Sequence, residues 1–297
     1  MNKTPLVSIG IHNGKLSYIP MVENLLKSIL ICNRYPNIQI VLTETAGNQE
    51  VRDWFSQLDL SDYFCSFTGK ETSVKKADEV TVSKKLLFLD YPTDFVWYQC
   101  YTDAMKRFFQ VADGEYAFTL AEDNQFFIVG DVISDCISLI ENKSKNKTVV
   151  CFPTLQQYKY GKQNNSFGPI QTLDKIKYFQ TNSPKWDPTY IAHKSIYEVL
   201  GDFAVSDAID PHGTINHFNK RSIELGFTRF FLQIPQCVWF SNGSRNKVLS
   251  KIIEKNADDP NSTLITPIDK NEAERLFEVS LPRKLQNCPL STEEVFS

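Results

Sequence analysis

The feature that most constrains the fold is an alternation of short apolar runs with helical patterns in the first third of the chain. Residues 6–11 (LVSIGI) and 38–43 (IQIVLT) are continuous apolar runs of strand length. Between them, residues 19–32 carry apolar side chains at helical spacing, and Pro20 lies in the first turn. A strand, a helix and a second strand in this order predict a parallel pair joined by a right-handed crossover.

This alternation continues along the chain and predicts an α/β fold with a mostly parallel central sheet flanked by helices, in a single main domain. The polar, lysine-rich segment 68–85 is predicted to be a flexible excursion, and residues 154–188 an aromatic loop. The other predicted helices are 48–58, 96–112, 131–141, 195–200 and 213–225, and the other predicted strands are 116–120, 148–152, 190–192 and 227–234.

Composition excludes several classes of protein. Of 297 residues, 42% are hydrophobic, which is enough for a sizeable core. A formal net charge of −3 argues against nucleic-acid binding. No segment approaches the ~20 apolar residues that cross a bilayer, and the N-terminal apolar run is too short for a signal peptide. The seven cysteines show no CxxC spacing, so we expect reduced thiols in a cytoplasmic protein, with peripheral membrane association left open.

Polar residues follow three of the predicted strands at the point where each strand ends. His12 and Asn13 follow the first, Glu44 the second, and Glu122 and Asp123 the strand at 116–120. Ligands of open α/β sheets bind at the carboxyl ends of the strands. The sequence therefore predicts a ligand site at this edge of the sheet.

The cluster Glu122-Asp123-Asn124 supports two interpretations. Carboxylates at the end of a buried strand fit a hard divalent cation, because Mg²⁺ and Mn²⁺ prefer oxygen ligands. Alternatively, Asp123 or Asn124 caps a helix that follows.

Four blocks of sequence together resemble glycosyltransferase family 2 and its GT-A relatives. The opening, LVSIGIHNGKLSYIPMVENLLKSIL with YPNIQIVLTETAGNQEVRDW, is similar to the family's first strand, helix and second strand. YTDAMKRFFQVADGEYAFTLAEDNQF resembles the block that leads through GEY to the DxD-type motif. YIAHKSIYEVLGDF and HFNKRSIELGF resemble the acceptor-side segment and the helix before the last core strand. In order and spacing, the resemblance covers residues 5–235.

The resemblance implies a GT-A-type, Rossmann-like domain over residues 1–245. Its nucleotide-binding half would be 1–125 and its acceptor-side half 126–245. Residues 246–297 would form a helical or irregular extension packed on this domain.

The activity implied is metal-assisted transfer of a sugar, with inversion, as in polysaccharide biosynthesis. The donor would be a UDP-, GDP- or TDP-sugar, the acceptor a glycan or lipid-linked molecule, and the cofactor Mn²⁺ or Mg²⁺. Two alternatives remain: a nucleotidyltransferase that makes nucleotide sugars, and a non-catalytic sugar- or nucleotide-binding protein of the same fold.

Individual residues acquire roles from the same resemblance. Ile11, His12 and Asn13 would lie by the nucleotide, and Glu44 would take the acidic position near the nucleoside. Asp123 would be the metal-binding carboxylate of the DxD-type motif.

The sequence departs from the family at this motif. Aligned on GEY, it reads Ala121-Glu122-Asp123 where the family has Asp-x-Asp. Either Glu122 also serves as a metal ligand, or Asp123 alone holds the metal through water and the diphosphate.

An inverting enzyme needs a carboxylate or similar base to deprotonate the acceptor hydroxyl. The family's acidic pair would fall near Thr214-Ile215, which are not acids. We favour Asp210 as the base, with Asp207 and His212 in reserve. The alternative is that Asp210 to Gly213 form only a turn with a helix cap.

Softer signals concern cations and aromatic residues. Arg245, in the segment 240–247, could fold over a diphosphate, although a helix start or a solvated hairpin fits equally well. The pair Lys84-Lys85 could do the same or simply lie on the surface. Trp186 or Tyr160 could stack on sugar rings, or pin their loop to the domain.

Overall fold

Strands and helices alternate through most of the chain. A computed structural model describes residues 4–13, 15–60, 81–89, 97–151, 167–181, 189–200, 220–240, 245–271 and 273. The helices are α1 Ile19–Cys32, α2 Gln49–Gln57, α3 Trp97–Val111, α4 Val132–Glu141, α5 Ile196–Leu200 and α6 Arg245–Asp258. The strands are β1 Val7–Asn13, β2 Asn37–Glu44, β3 Thr81–Phe88, β4 Tyr116–Ala121, β5 Asn124–Phe126, β6 Ile128–Val129, β7 Thr148–Cys151, β8 Phe167–Leu173, β9 Ile176–Thr181, β10 Tyr190–His193, β11 Thr228–Leu232, β12 Cys237–Trp239 and β13 Ile268–Asp269.

Within the described ranges, the central sheet has nine strands in the order β3-β2-β1-β4-β10-β7-β11-β9-β8. Strands β3, β2, β1 and β4 are parallel neighbours, and β7 pairs in parallel with β11. Strand β10 runs antiparallel to both of its neighbours, and so does β9. Two small sheets, β12 with β5 and β13 with β6, lie beside it. The prediction of an α/β fold with a mostly parallel central sheet is confirmed.

The register of the parallel strands brings their carboxyl ends together. Asn13 of β1 lies opposite Glu44 of β2, and His12 lies opposite Ala121 of β4. Because Glu122 and Asp123 follow directly after β4, the three predicted polar clusters share one edge of the sheet.

Helix α1 shows why the first third folds as its pattern predicts. Its observed bounds equal the predicted ones, and Val22, Leu25 and Ile29 on its apolar stripe have no exposed surface. They pack with β1 and β2 residues into the largest core cluster, Ile9 and Ile40 among them.

The lysine-rich segment predicted to be flexible contains strand β3 at its end, so that prediction was wrong for residues 81–85. Strand β3 pairs with β2 along its whole length at the edge of the sheet. Lys84 Nζ donates to carbonyl oxygens at the end of α2, and Lys85 Nζ donates to Val111 O at the end of α3. Because these lysines bond to helix ends, they do not form the diphosphate site considered for them.

The segment predicted to be an aromatic loop contains the hairpin of β8 and β9. Phe167 stacks on Phe179 with ring centroids 5.0 Å apart and contacts Phe231 of β11 at 5.4 Å. These aromatic residues hold the hairpin on the sheet, and this packing explains their abundance in the sequence. Tyr160 and Trp186 lie outside the described residues.

Part of the predicted extension, 246–271, contacts α1 and β5 through buried amides. Asn24 Nδ2 donates to Gln125 Oε1 at 3.0 Å, and Leu264 N donates to Asn24 Oδ1 at 2.8 Å. Gln125 Nε2 donates to Ile265 O at 2.7 Å. Since each amide group is paired on both sides, this network fixes the extension beside the site. The domain boundary at 245 stays a prediction.

Among the helices in the described ranges, none combines the length and the apolar character that crossing a membrane needs.

Candidate functional site

The candidate site lies at the carboxyl ends of β1, β2 and β4. Its centre is Asp123, whose side chain is buried in the turn between β4 and β5. The alternative in which Asp123 or Asn124 caps a following helix is wrong, because Asn124 begins a strand. A buried carboxylate must be satisfied by nearby donors or by a cation.

Asp123 is satisfied by two side chains from far along the chain. Trp239 Nε1 donates to Asp123 Oδ2 at 2.9 Å, and Arg245 donates to the same oxygen through Nε at 3.1 Å and Nη2 at 2.5 Å. Strand pairing places the indole there, since Trp239 lies opposite Asn124 in the β5–β12 sheet. Phe240 N also donates to Asp123 O at 2.8 Å. The Asp123 Oδ2 atom thus accepts from both a guanidinium and an indole.

Arg245 bridges both carboxylates. Its Nη1 lies 3.5 Å from Glu122 Oε1, and its guanidinium lies over the Tyr18 ring at 5.5 Å from the centroid. Lys15 Nζ lies 5.3 Å from the same centroid. Arg245 is the first residue of α6. The helix is held at this position by Val248, which is buried in a core cluster with Met21, Phe127 and Phe240. The site therefore holds two carboxylates and two cationic side chains.

Burial shifts the protonation of the carboxylates. Burial, followed by the neighbouring Asp123 carboxylate, raises the pKa of Glu122 to about 7, although Arg245 opposes this shift. Burial also raises the pKa of Asp123, and Arg245 and Trp239 oppose it. A carboxyl group that titrates near neutral pH can bind or release a proton under physiological conditions.

Glu44 shapes the turn that follows β2. Its Oε1 accepts from Ala46 N at 2.9 Å and its Oε2 from Asn48 N at 3.0 Å, and the side chain is fully buried. Gly47, between these two residues, has a φ of +65°, a conformation that glycine adopts without strain. The carboxylate thus fixes the start of α2, and its contact with a nucleoside stays a prediction.

The three predicted site residues at the end of β1, Ile11, His12 and Asn13, have different surroundings. Ile11 is buried in the core, so its side chain faces away from solvent. Burial lowers the pKa of His12 to about 4, which keeps its imidazole neutral at pH 7. Asn13 is buried at the edge of the sheet, where its Oδ1 accepts from Lys15 N at 3.1 Å.

Two buried amide atoms at this edge make no hydrogen bond to any residue in the described ranges. They are the donor Asn13 Nδ2 and the acceptor Asn124 Oδ1, and both residues are at most 1% exposed. Buried polar groups are nearly always paired, so such atoms point to a ligand or solvent partner.

The donor atoms fit a divalent cation in kind. Carboxylate and amide oxygens are the ligands that Mg²⁺ and Mn²⁺ prefer, and Asp123, Glu122 and Asn124 supply them. Within the described part of the chain, however, no group of three His, Cys, Asp or Glu residues is arranged to hold a metal. The Arg245 guanidinium contacts Oδ2 of Asp123, whereas Oδ1 has a long contact of 3.5 Å with Asn124 Nδ2. Asp123 Oδ1 is thus a carboxylate oxygen to which Arg245 does not donate.

Several predicted residues lie outside the described residues, and others were missed. Asp207, Asp210 and His212 are in the first group. Trp239 and Tyr18 were missed, because nothing near them in the sequence indicates a contact with the site. Only the pairing of β12 with β5 and the packing of α6 on α1 bring these two residues to Asp123 and Arg245.

Comparison with known proteins identifies the fold. No protein-family model matches the sequence, and no curated protein matches it either. GalNAc-T7, solved with UDP, GalNAc and Mn²⁺, superposes with a TM-score of 0.51 at 12% identity, over 98% of this chain and 53% of that one. The chain has a GT-A-type fold.

Two further solved structures are similar. A mannosyltransferase from Pyrobaculum calidifontis, in complex with GDP-Man and Mn²⁺, matches at 12% identity over 87% of this chain and 66% of that one, with a TM-score of 0.47. TarS 1–349 from S. aureus matches at 9% identity over 95% of this chain and 72% of that one, also with a TM-score of 0.47. The chain thus spans about half the length of GalNAc-T7 and just under two thirds of the mannosyltransferase. Membership of family 2 stays a prediction.

Proposed function

We propose that this chain transfers a sugar from a nucleotide-sugar donor to a hydroxyl group of a glycan or lipid-linked acceptor. The observation that carries this proposal is the pair of buried carboxylates, Glu122 and Asp123, with Arg245 across them at the carboxyl edge of a GT-A-type sheet. The similar structures named above include complexes with GDP-Man and with UDP and GalNAc, which supports a nucleotide-sugar donor.

In this reaction the sugar leaves a nucleoside diphosphate on which negative charge develops. Arg245 offers several N–H donors in a planar fork, a geometry that matches phosphate oxygens. Lys15 Nζ also lies over the Tyr18 ring, 5.3 Å from its centroid, and adds a second positive charge. Preorganised cations at the point where charge develops lower the barrier to bond breaking.

A divalent ion would be held by Asp123 and Glu122, with Mn²⁺ and Mg²⁺ as the candidates. When bound, it supplies positive charge that stabilises the leaving diphosphate. The donors that this chain provides for it are the Asp123 Oδ1 atom and the Glu122 carboxylate.

The nucleotide would lie against the ends of β1 and β2. Asn13 Nδ2 is a buried donor without a partner in the described ranges, and a nucleotide oxygen or base acceptor would satisfy it. His12 and the turn held by Glu44 border the same region, since they lie at the same edge of the sheet.

Inversion at the anomeric carbon would require a base for the acceptor hydroxyl. Asp210 stays the first candidate, with Asp207 and His212 as the others. All three belong to the sequence-based prediction.

The test is a thermal-unfolding screen of the full chain with UDP, GDP, CDP and TDP, each with Mn²⁺, Mg²⁺ or EDTA. A nucleotide at ~100 times its Kd adds about 2.7 kcal/mol to the free energy of unfolding, which is readily seen as a higher Tm. We expect one nucleotide to stabilise the wild type, and Asp123→Ala to lose this effect. Asp258→Asn, at an exposed position, is the control and should respond like the wild type.

Turnover separates the proposal from its alternatives. A glycosyltransferase hydrolyses its nucleotide sugar slowly without acceptor, whereas a nucleotidyltransferase consumes a nucleoside triphosphate and a sugar phosphate. A binding protein does neither. If no nucleotide raises the Tm of the wild type under any condition, the proposal is wrong.

A further inference from the structure

Arg245 occupies the carboxylates that a metal ion would need. It contacts Asp123 Oδ2 through two nitrogens, at 3.1 and 2.5 Å, and a third nitrogen lies 3.5 Å from Glu122 Oε1. With the side chain in this position, Asp123 and Glu122 already have a counter-charge.

Charge balance makes it unfavourable for Arg245 and a divalent ion to bind there together. Two carboxylates carry at most two negative charges, whereas Arg245 and a divalent ion would bring three positive ones within a few ångströms of one another. The Asp123 side chain is 1% exposed, so water screens this repulsion poorly. A divalent ion that binds without another anion must therefore displace the guanidinium.

A second observation indicates that the pocket accepts a ligand other than Arg245. Asn124 Oδ1 is buried and makes no hydrogen bond to the described residues, while Nδ2 of the same amide lies 3.5 Å from Asp123 Oδ1. An oxygen-binding cation or its bound water would satisfy the unpaired Asn124 oxygen.

The structure allows the Arg245 side chain to move without unfolding its helix. Helix α6 is anchored by Val248 and Ile252, which are both about 1% exposed. Arg245 itself lies at the helix start, its side chain is 23% exposed, and it rests on the Tyr18 ring. The guanidinium can therefore rotate away from Asp123 while the backbone of α6 stays in place.

We propose that Arg245 is an internal counter-cation that competes with a divalent metal ion for Asp123 and Glu122. When a nucleoside diphosphate binds, Arg245 pairs with its phosphate oxygens instead of with Asp123 and Glu122, and the two carboxylates can then bind the metal. This second step rests on the proposed function. Metal and nucleotide then strengthen each other's binding, by an equal factor in each direction.

The test measures Mn²⁺ binding to the full chain without nucleotide, from the electron paramagnetic resonance signal of free Mn²⁺. The variants are Arg245→Met, which keeps the apolar stem but removes the charge, and Arg107→Met as a matched control. Arg107 pairs with Asp103 at 2.7 Å within α3, so its loss removes an arginine–carboxylate pair that does not include Asp123 or Glu122. We expect Arg245→Met to bind Mn²⁺ about tenfold more tightly than the wild type, and Arg107→Met to bind it like the wild type. Unchanged or weaker binding by Arg245→Met overturns the proposal.

A second variant keeps the test decisive if Arg245→Met does not fold. Arg245→Gln retains hydrogen-bond donors without the charge, and it should show the same gain in Mn²⁺ affinity. In addition, Mn²⁺ should raise the Tm of either variant more than that of the wild type, because it replaces the missing counter-charge. If neither the affinity nor the Tm responds in this way, competition is excluded.

The two proposals fail in different ways. If Mn²⁺ affinity rises in Arg245→Met but no nucleotide binds to the wild type, the counter-cation inference stands and the proposed function falls. If a nucleotide and Mn²⁺ bind the wild type together while Arg245→Met gains no affinity for Mn²⁺, the function stands and this inference falls.

Discussion

The two ends of the parallel strands differ in whether they bury adjacent like charges. At the carboxyl ends, Asp123 and Glu122 are adjacent and buried, and one guanidinium contacts both. Asn13 and Asn124 there each keep a buried amide atom with no partner in the described ranges.

At the amino ends of β1 and β2, one group of polar side chains pairs internally. Ser8 Oγ donates to Gln39 Oε1 at 2.6 Å and accepts from Gly114 N at 2.8 Å, while Gln39 Nε2 donates to Asp113 Oδ2 at 2.6 Å. Near this end, Lys145 Nζ donates to Glu115 Oε1 at 2.8 Å, and both side chains are exposed.

From this difference we infer that the amino ends mainly stabilise the sheet and that the carboxyl ends bind a ligand. A paired polar network that closes on itself rigidifies the sheet. Two adjacent buried carboxylates cost stability, so we infer that the edge where they lie is the ligand site. Four substitutions test this contrast.

The largest effect is expected from Arg245→Met. Removing the guanidinium leaves Asp123 and Glu122 buried without a counter-charge, which should lower the free energy of unfolding by about 3 kcal/mol. Urea unfolding in EDTA measures this loss. A loss below that of an exposed ion pair would show that water already screens these carboxylates.

Glu122→Gln should change how stability depends on pH. Burial and Asp123 raise the pKa of Glu122 from 4.5 to about 7, so between these values the folded state binds more protons than the unfolded state. The free energy of unfolding then falls as the pH rises through this window. Between pH 5 and pH 8, that of the wild type should fall by on the order of 2 kcal/mol more than that of Glu122→Gln. Tm measured against pH for both proteins tests the sign, and parallel curves would contradict it.

Trp239→Phe should have an intermediate effect. It removes an N–H that donates to a buried carboxylate, and hydrogen bonds to charged groups are worth about 1.5–3 kcal/mol. Because Trp239 is 39% exposed, we expect the free energy of unfolding, measured in urea, to fall by about 1.5 kcal/mol, the lower end of this range. No change would mean that Arg245 alone satisfies Asp123 Oδ2.

The smallest effect is expected at the opposite end. Lys145→Met breaks exposed ion pairs with Glu115 and Glu141. It should lower the free energy of unfolding, measured in urea, by about 0.5 kcal/mol, and by less at high salt. A loss as large as that of Arg245→Met would remove the contrast between the two ends.

The sequence by itself determined the elements whose partners are close in the chain. The apolar stripe of α1 and the apolar runs of β1 and β2 predict that these elements are buried. The polar clusters after β1, β2 and β4 predict the edge of the sheet where the candidate site lies. It did not reveal β3 or the β8–β9 hairpin, because edge strands keep polar or exposed side chains and lack a continuous apolar run.

Only the tertiary structure decided what satisfies Asp123. Trp239 and Arg245 are 116 and 122 residues away in the chain, and both reach it because β12 pairs with β5 and α6 packs on α1. Local sequence encodes burial and periodicity, but it does not encode which distant side chain meets a buried charge. That choice depends on the packing of whole elements, and here it placed Arg245 against the carboxylates for which the sequence predicted a metal.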